Sequence, residues 1–150
     1  LKDMWGEADS QEFGVVSPAM TEEFLYQYQS PVMSLFGVCS FGCCESHHGK
    51  WDLIRAMPNV RMVSVSPWTD LEEAVREMGD DYALNWRVSP SRIQANLDPD
   101  DMRAEIEEGL AVAGHTCLNI VYQDIETVKG SPEHLRVWTT IAKEAACRYS

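Results

Sequence analysis

The sequence predicts an α/β fold with parallel strands, and three observations predict it. Short apolar runs alternate with amphipathic helical patterns in four successive units. Helix entries carry Pro or acidic capping residues, and several helix ends carry Gly. Strict alternation of this kind demands helical crossovers, because parallel strands cannot be joined by tight turns. At 150 residues the chain holds one domain with a real core. Four units suit either a small open sheet or half of an eight-fold barrel, and periodicity alone leaves both open.

The opening, Leu1 to Ser30, lacks an initiator Met and reads as the continuation of a longer chain. It is expected to be a leading segment whose helix enters at Ser17-Pro18, carries Phe24, Leu25 and Tyr28 on its apolar stripe, and stops at Pro31. Val32 to Val38 is apolar on both alternating faces and reads as a buried strand. Trp51, Ile54 and Met57 mark the next helix, closed by Pro58-Asn59, before a strand at Val60 to Val65. Thr69-Asp70-Leu71-Glu72 reads as a capping box, opening a helix with Leu71, Ala74, Val75 and Met78 inward and ending at Gly79. The third strand is Tyr82 to Val88. Ser89-Pro90 and Asp98-Pro99 each place Pro at a helix start, the second helix running through Met102, Ile106, Leu110 and Ala113 to Gly114. Cys117 to Tyr122 is the fourth strand. After Asp124 and a loop to Gly130, Ser131-Pro132 caps a last helix with Leu135, Trp138, Ala142 and Ala145 on one face.

A formal charge of -12 argues against a nucleic-acid partner, which wants a basic face. No run of about 18 apolar residues could span a membrane, and no charged-then-apolar leader opens the chain, so a cytoplasmic protein is expected. Five cysteines, two of them adjacent, suit reduced thiols rather than a disulfide scaffold. The motifs G-x-G-x-x-G, G-x-x-x-x-G-K-[ST] and G-x-S-x-G are all absent, which removes support for nucleotide binding and serine hydrolysis.

The chemistry concentrates between Ser34 and Trp51, where a strand-like run leads into three cysteines, a glutamate and two histidines. Ligands bind at the carboxyl ends of parallel strands, and that rule gathers Cys43 to His48, Ser66 to Trp68, Asn85 to Arg87 and Tyr122 to Glu126. Thiolate, imidazole and carboxylate together suit zinc, with Cys43 and Cys44 the candidate ligands. Glu45 could bind metal, bind substrate or complement a helix start, and Asp124 follows a buried strand into the site. His47 is a candidate substrate contact, although one of His47 and His48 could simply cap a helix or face solvent. Trp68 and Trp86 could wall an aromatic pocket or pack in the core. Cys39, Cys117 and Cys147 read as structural.

Four stretches carry a resemblance to a known family. They are S-Q-E-F-G-V-V-S-P-A-M-T-E-E-F at Ser10 to Phe24, F-G-C-C-E at Phe41 to Glu45, V-S-V-S-P-W at Val63 to Trp68, and the Asp124 segment with G-S-P-E at Gly130 to Glu133. Together they resemble the uroporphyrinogen decarboxylase-like proteins of anaerobic bacteria, near the corrinoid-dependent methyltransferases. The resemblance spans nearly all of the chain and matches the carboxyl-terminal half of a (β/α)8 TIM barrel. It implies a methyltransferase that moves a methyl group between a small methylated substrate and the cobalamin of a partner corrinoid protein. It also implies a zinc site, for which Cys43, Cys44 and Glu45 match the first ligand loop. Asp124 stands where those methyltransferases have Cys, a harder oxygen ligand that makes a stronger Lewis acid. The alternative roles for Glu45 and Asp124 are catalytic, protonating the leaving group. Other readings are a non-catalytic fragment or binding module, completed by its missing amino-terminal half or by a homodimer, and a thiol redox protein using Cys43-Cys44.

Overall fold

The computed structural model describes residues 1–91, 98–128 and 130–149. Five strands form one sheet: β1 (Trp5–Ala8), β2 (Val38–Phe41), β3 (Val60–Val65), β4 (Ala83–Val88) and β5 (Leu118–Tyr122). All neighbours are parallel and the order across the sheet is β1-β2-β3-β4-β5. A sequential order has no switch point, unlike doubly wound sheets, and is compatible with part of a (β/α)8 barrel.

The helices are α1 (Pro18–Thr21), α2 (Gln27–Met33), α3 (Trp51–Ala56), α4 (Leu71–Met78), α5 (Pro99–Ala113) and α6 (Glu133–Ala146), with a π-helical turn at Glu22–Tyr26 between α1 and α2. Ser17 Oγ accepts from the Met20 amide to cap α1, and Asp98 caps α5 ahead of Pro99. The helix expected to open at Ser89-Pro90 falls largely outside the described residues.

Three features depart from the sequence reading. The leading segment is part of the sheet: β1 pairs along its whole length with β2, so there are five strands rather than four. Pro31 lies inside α2 instead of ending it, and the π turn just upstream is the kind of adjustment that accommodates an internal proline. The strand expected at Val32 to Val38 lies at Val38–Phe41, because Val32 and Met33 finish α2 and the apolar run covers a helix end and a turn. Val32 and Leu35 are exposed, so that run is not the buried strand it resembles. A smaller shift moves the α4 cap to Asp70, which accepts from the Glu73 amide at 3.0 Å. The α6 entry has Pro132 at the cap position and no side-chain cap.

The sheet has two unlike faces. Cys39, Phe41, Val63, Val65, Leu84, Trp86 and Val88 project to one side, where Trp51, Ile54, Ala74, Met78, Ile106, Leu110, Trp138 and Ile141 from the helices meet them in a single core. Right-handed crossovers between strands in sequential order place every helix on that side. The opposite face carries Glu7, Ser40, Asn85, Arg87 and Asn119 interspersed with Val38, Met62 and Val121, all half-buried or exposed, together with the buried Ser64. In register on this face, Asn119 Nδ2 donates to Asn85 Oδ1 at 2.7 Å.

Packing is close where α5 crosses β4. A Cβ built on Gly109 would stand 2.1 Å from Trp86 Cη2, so the indole lies against bare helix backbone. Gly109→Ala is expected to destabilise the fold by about 2 kcal/mol or more, although alanine is the better helix former by about 1 kcal/mol. Urea unfolding measures this, and an equal or higher midpoint for the variant would show that the contact is loose.

Candidate functional site

The loop after β2 is built around a glycine and a carboxylate. Gly42 leaves the strand at φ +94, and a Cβ there would meet His47 Nε2 at 2.3 Å, so both conformation and space require glycine. Glu45, 6% exposed, turns its side chain back under the loop. Its Oε1 accepts from the amide and the hydroxyl of Ser10, both at 2.8 Å, and its Oε2 accepts from the Cys43 amide at 2.9 Å. Its main-chain carbonyl accepts from Ser66 Oγ at 2.9 Å and Thr69 Oγ1 at 3.4 Å. The carboxyl ends of β1, β2 and β3 are thereby joined through one residue. Burial alone would raise the Glu45 carboxyl, but hydrogen bonds from its own amide, Ser10 and Cys43 outweigh that and hold it below the usual carboxylate range.

Above this clamp stand the paired thiols. Cys43 Sγ and Cys44 Sγ are 3.4 Å apart and half-buried. Arg87, at the end of β4 on the open face, brings Nη1 within 3.7 Å of the Cys43 sulfur and 4.0 Å of the Cys44 sulfur. The same Nη1 donates to Gln123 Oε1 at 3.1 Å, tying in the end of β5. Burial pushes the Cys44 thiol up to about 11, aided by Cys43 and the charge of Asp124 and opposed by Arg87. Cys44 therefore holds its proton at neutral pH.

Of the candidate residues, Cys43, Cys44 and Asp124 come together at this edge. Asp124 follows Gln123 with φ +53, a left-handed conformation that turns the chain sharply off β5. Glu45 lies below them as the clamp, and its ionised carboxylate is not a proton donor. His47 is corrected to a core position. It is 1% exposed, packed between Phe41 and Trp51 with ring centroids 5.8 Å from each, and its ring nitrogens make no well-aligned hydrogen bond, the Ser64 backbone acting on the ring only weakly. Burial lowers its pKa to about 4, so it is a neutral imidazole. Trp86 is likewise a core residue, facing α5 on the side of the sheet away from Arg87. Trp68 is 77% exposed. His48 Nδ1 pairs with Glu73 at 2.8 Å, and Trp51 Nε1 donates to the same carboxylate at 2.9 Å; the pair lies on the rim, toward α4.

Among the described residues, no three His, Cys, Asp or Glu side chains converge closely enough to hold a metal ion. The thiol pair supplies at most half of a tetrahedral zinc set. The strand-end rule gathers the segments that hold Arg87 and Gln123 without singling either out, and it gives Ser10 no part in the site. Arg87 did carry a signal: in A-L-N-W-R-V the large apolar residues Leu84, Trp86 and Val88 alternate with Asn85 and Arg87, which puts a lone cation on the open face of a parallel strand. No protein-family model matches the chain, and no curated protein matches it.

Two outcomes follow from the clamp and the buried ring. Glu45→Gln is expected to cost about 2–3 kcal/mol, because an amide cannot accept from Ser10 and Cys43 alike without setting donor against donor; an unchanged thermal midpoint would remove the clamp. His47 titrates near 4 when folded and at its ordinary 6.5 when unfolded. The unfolded chain takes up the proton between those values, so this contribution is complete above 6.5 and declines as the pH falls toward 4. Urea unfolding across that window is expected to show a loss on the order of 3 kcal/mol from this group. His47→Leu should flatten the slope, and a slope of wild-type steepness in the variant would assign the loss elsewhere.

Proposed function

We propose that this chain is the carboxyl-terminal half of a uroporphyrinogen decarboxylase-like (β/α)8 enzyme that moves a methyl group between a small methylated substrate and a partner corrinoid protein. The observation that carries the reading is the thiol pair spanned by Arg87 at the carboxyl edge of a sequential parallel sheet. Such an edge is where barrels of this kind place their chemistry. The open polar face beside it has the character of a barrel interior still to be closed by further strands.

The partner's reduced corrinoid supplies the nucleophile that takes the methyl group. The bond from the methyl carbon to its oxygen or nitrogen breaks, and the leaving atom keeps the electron pair. That developing charge is what this chain is equipped to meet. Arg87 offers a fixed guanidinium beside the thiols, oriented by Gln123. Cys44 keeps its proton at neutral pH and, as a weak acid at about 11, can hydrogen-bond the leaving atom and protonate it only where that atom becomes more basic than the thiolate. Asp124 adds a negative charge at the same edge that acts on Cys44. Glu45 acts on none of these atoms and holds the loop in place. Zinc does not fit the donors of this chain alone, since two thiols leave half the set to residues from elsewhere.

The test is methyl transfer from a panel of methoxylated aromatics and methylamines to cob(I)alamin by the intact protein, followed by the absorbance change. Replacing both Cys43 and Cys44 with Ser is expected to lower the rate about 100-fold, and Arg87→Lys about 10-fold or more. Wild-type rates in the double variant would overturn the proposal.

A further inference from the structure

We infer that Cys43 and Cys44 form a bidentate site for a trivalent thiophilic centre of the monosubstituted arsenical class. The inference stands on the sulfur geometry and does not depend on the methyl-transfer reading.

Three kinds of partner could bridge or join two sulfurs, and the resting separation of 3.4 Å, at which either thiol can donate to the other, lies nearest the bite of the third. A disulfide needs about 2.05 Å, so the sulfurs would have to close by more than an ångström across a single peptide unit. A tetrahedral ion with sulfur bonds of about 2.3 Å sets its sulfurs about 3.8 Å apart and requires further ligands. The same bond length across 3.4 Å subtends about 95°. That is the angle of a pyramidal trivalent centre, whose third bond goes to carbon and which needs no third protein ligand.

The surroundings favour the same ligand. The Cys43 amide is pinned to Glu45 Oε2, and Gly42 and Glu45 fix the chain on either side, so little freedom is lost when both sulfurs bind. Arg87 lies across both sulfurs, where its charge favours negative charge developing on the attacking sulfur. The reaction balances without an oxidant or reductant. An arsenical carrying two hydroxyls meets two thiols; two As–S bonds form, two As–O bonds break, and the two thiol protons leave with the hydroxyls as two waters. Arsenic stays trivalent throughout. Cys39 cannot compete, being buried within β2.

The probe is phenylarsine oxide, applied to the phosphine-reduced chain with Cys117→Ser and Cys147→Ser, which removes the two exposed thiols. In excess monothiol, native mass spectrometry is expected to show one phenylarsenic group retained per chain with the loss of two titratable thiols, and release by a competing small dithiol. Cys43→Ser and Cys44→Ser, each checked for an unchanged circular dichroism spectrum, should each abolish retention. The folded chain should bind at least about tenfold more tightly than the same chain in urea, since preorganisation is the source of the affinity. No retention by the folded chain, retention by either serine variant, or equal affinity in urea would overturn the inference. Methyl transfer to cob(I)alamin is a separate readout, so either proposal can fail while the other stands.

Discussion

The arrangement at the carboxyl edge depends on one ionised carboxylate held below the surface. Glu45 accepts three hydrogen bonds on its side chain and two on its carbonyl, from Ser10, Cys43, Ser66 and Thr69. A buried carboxylate is costly unless each oxygen is satisfied, and here the donors come from three separate strand ends. Hydrogen bonds to a charged acceptor contribute about 1.5–3 kcal/mol each, enough to offset that cost and to favour a single loop conformation. The thiols inherit their placement from this. Remove the carboxylate and Cys43 loses the partner of its own amide.

The division of labour between the two sheet faces follows from topology. Sequential parallel strands with crossovers of one hand put all the helices, and all the apolar burial, on one side. Polar side chains on the other side then cost little, and Arg87 and Asn85 can stand there in register with β5. One strand can thus serve both purposes residue by residue: Trp86 seals the core against Gly109 while its neighbour Arg87 reaches the thiols. His47 is kept from the thiols by a different device: the irregular loop that presents Cys43 and Cys44 folds the imidazole inward beneath Gly42.

Most of the architecture was legible in the sequence because it rests on local signals. Helix starts at Asp98-Pro99, periodicity along α4 and α5, and apolar runs at β3, β4 and β5 report the elements directly. β1 was not legible: W-G-E-A is four residues long, exposed at Trp5 and Glu7, and becomes a strand only by pairing with β2. The apolar run after Pro31 misled for the opposite reason, since a helix end and a buried strand have the same composition. At the site, the cysteine loop was visible as a cluster, but the use of each side chain was not. Ser10 lies 35 residues from Glu45 and Arg87 lies 44 from Cys43, so these pairings exist only once the sheet is assembled. His47 and Trp86 were placed by chemistry that their own neighbours in sequence do not reveal.

The sequential strand order has a consequence for how the chain acquires its structure. Each strand's partners are its immediate predecessor and successor in sequence, so no pairing has to wait for a distant segment to return. The sheet can grow by accretion, one strand and crossover at a time, each closing a loop of similar length at similar entropic cost. The clamp belongs to the early part of that growth, since Ser10, Glu45, Ser66 and Thr69 all lie in the first half of the chain. Growth in that order would shape the loop before β4 and β5 bring Arg87 and Gln123 to it, so that the carboxyl edge would be completed last, over a seat already formed.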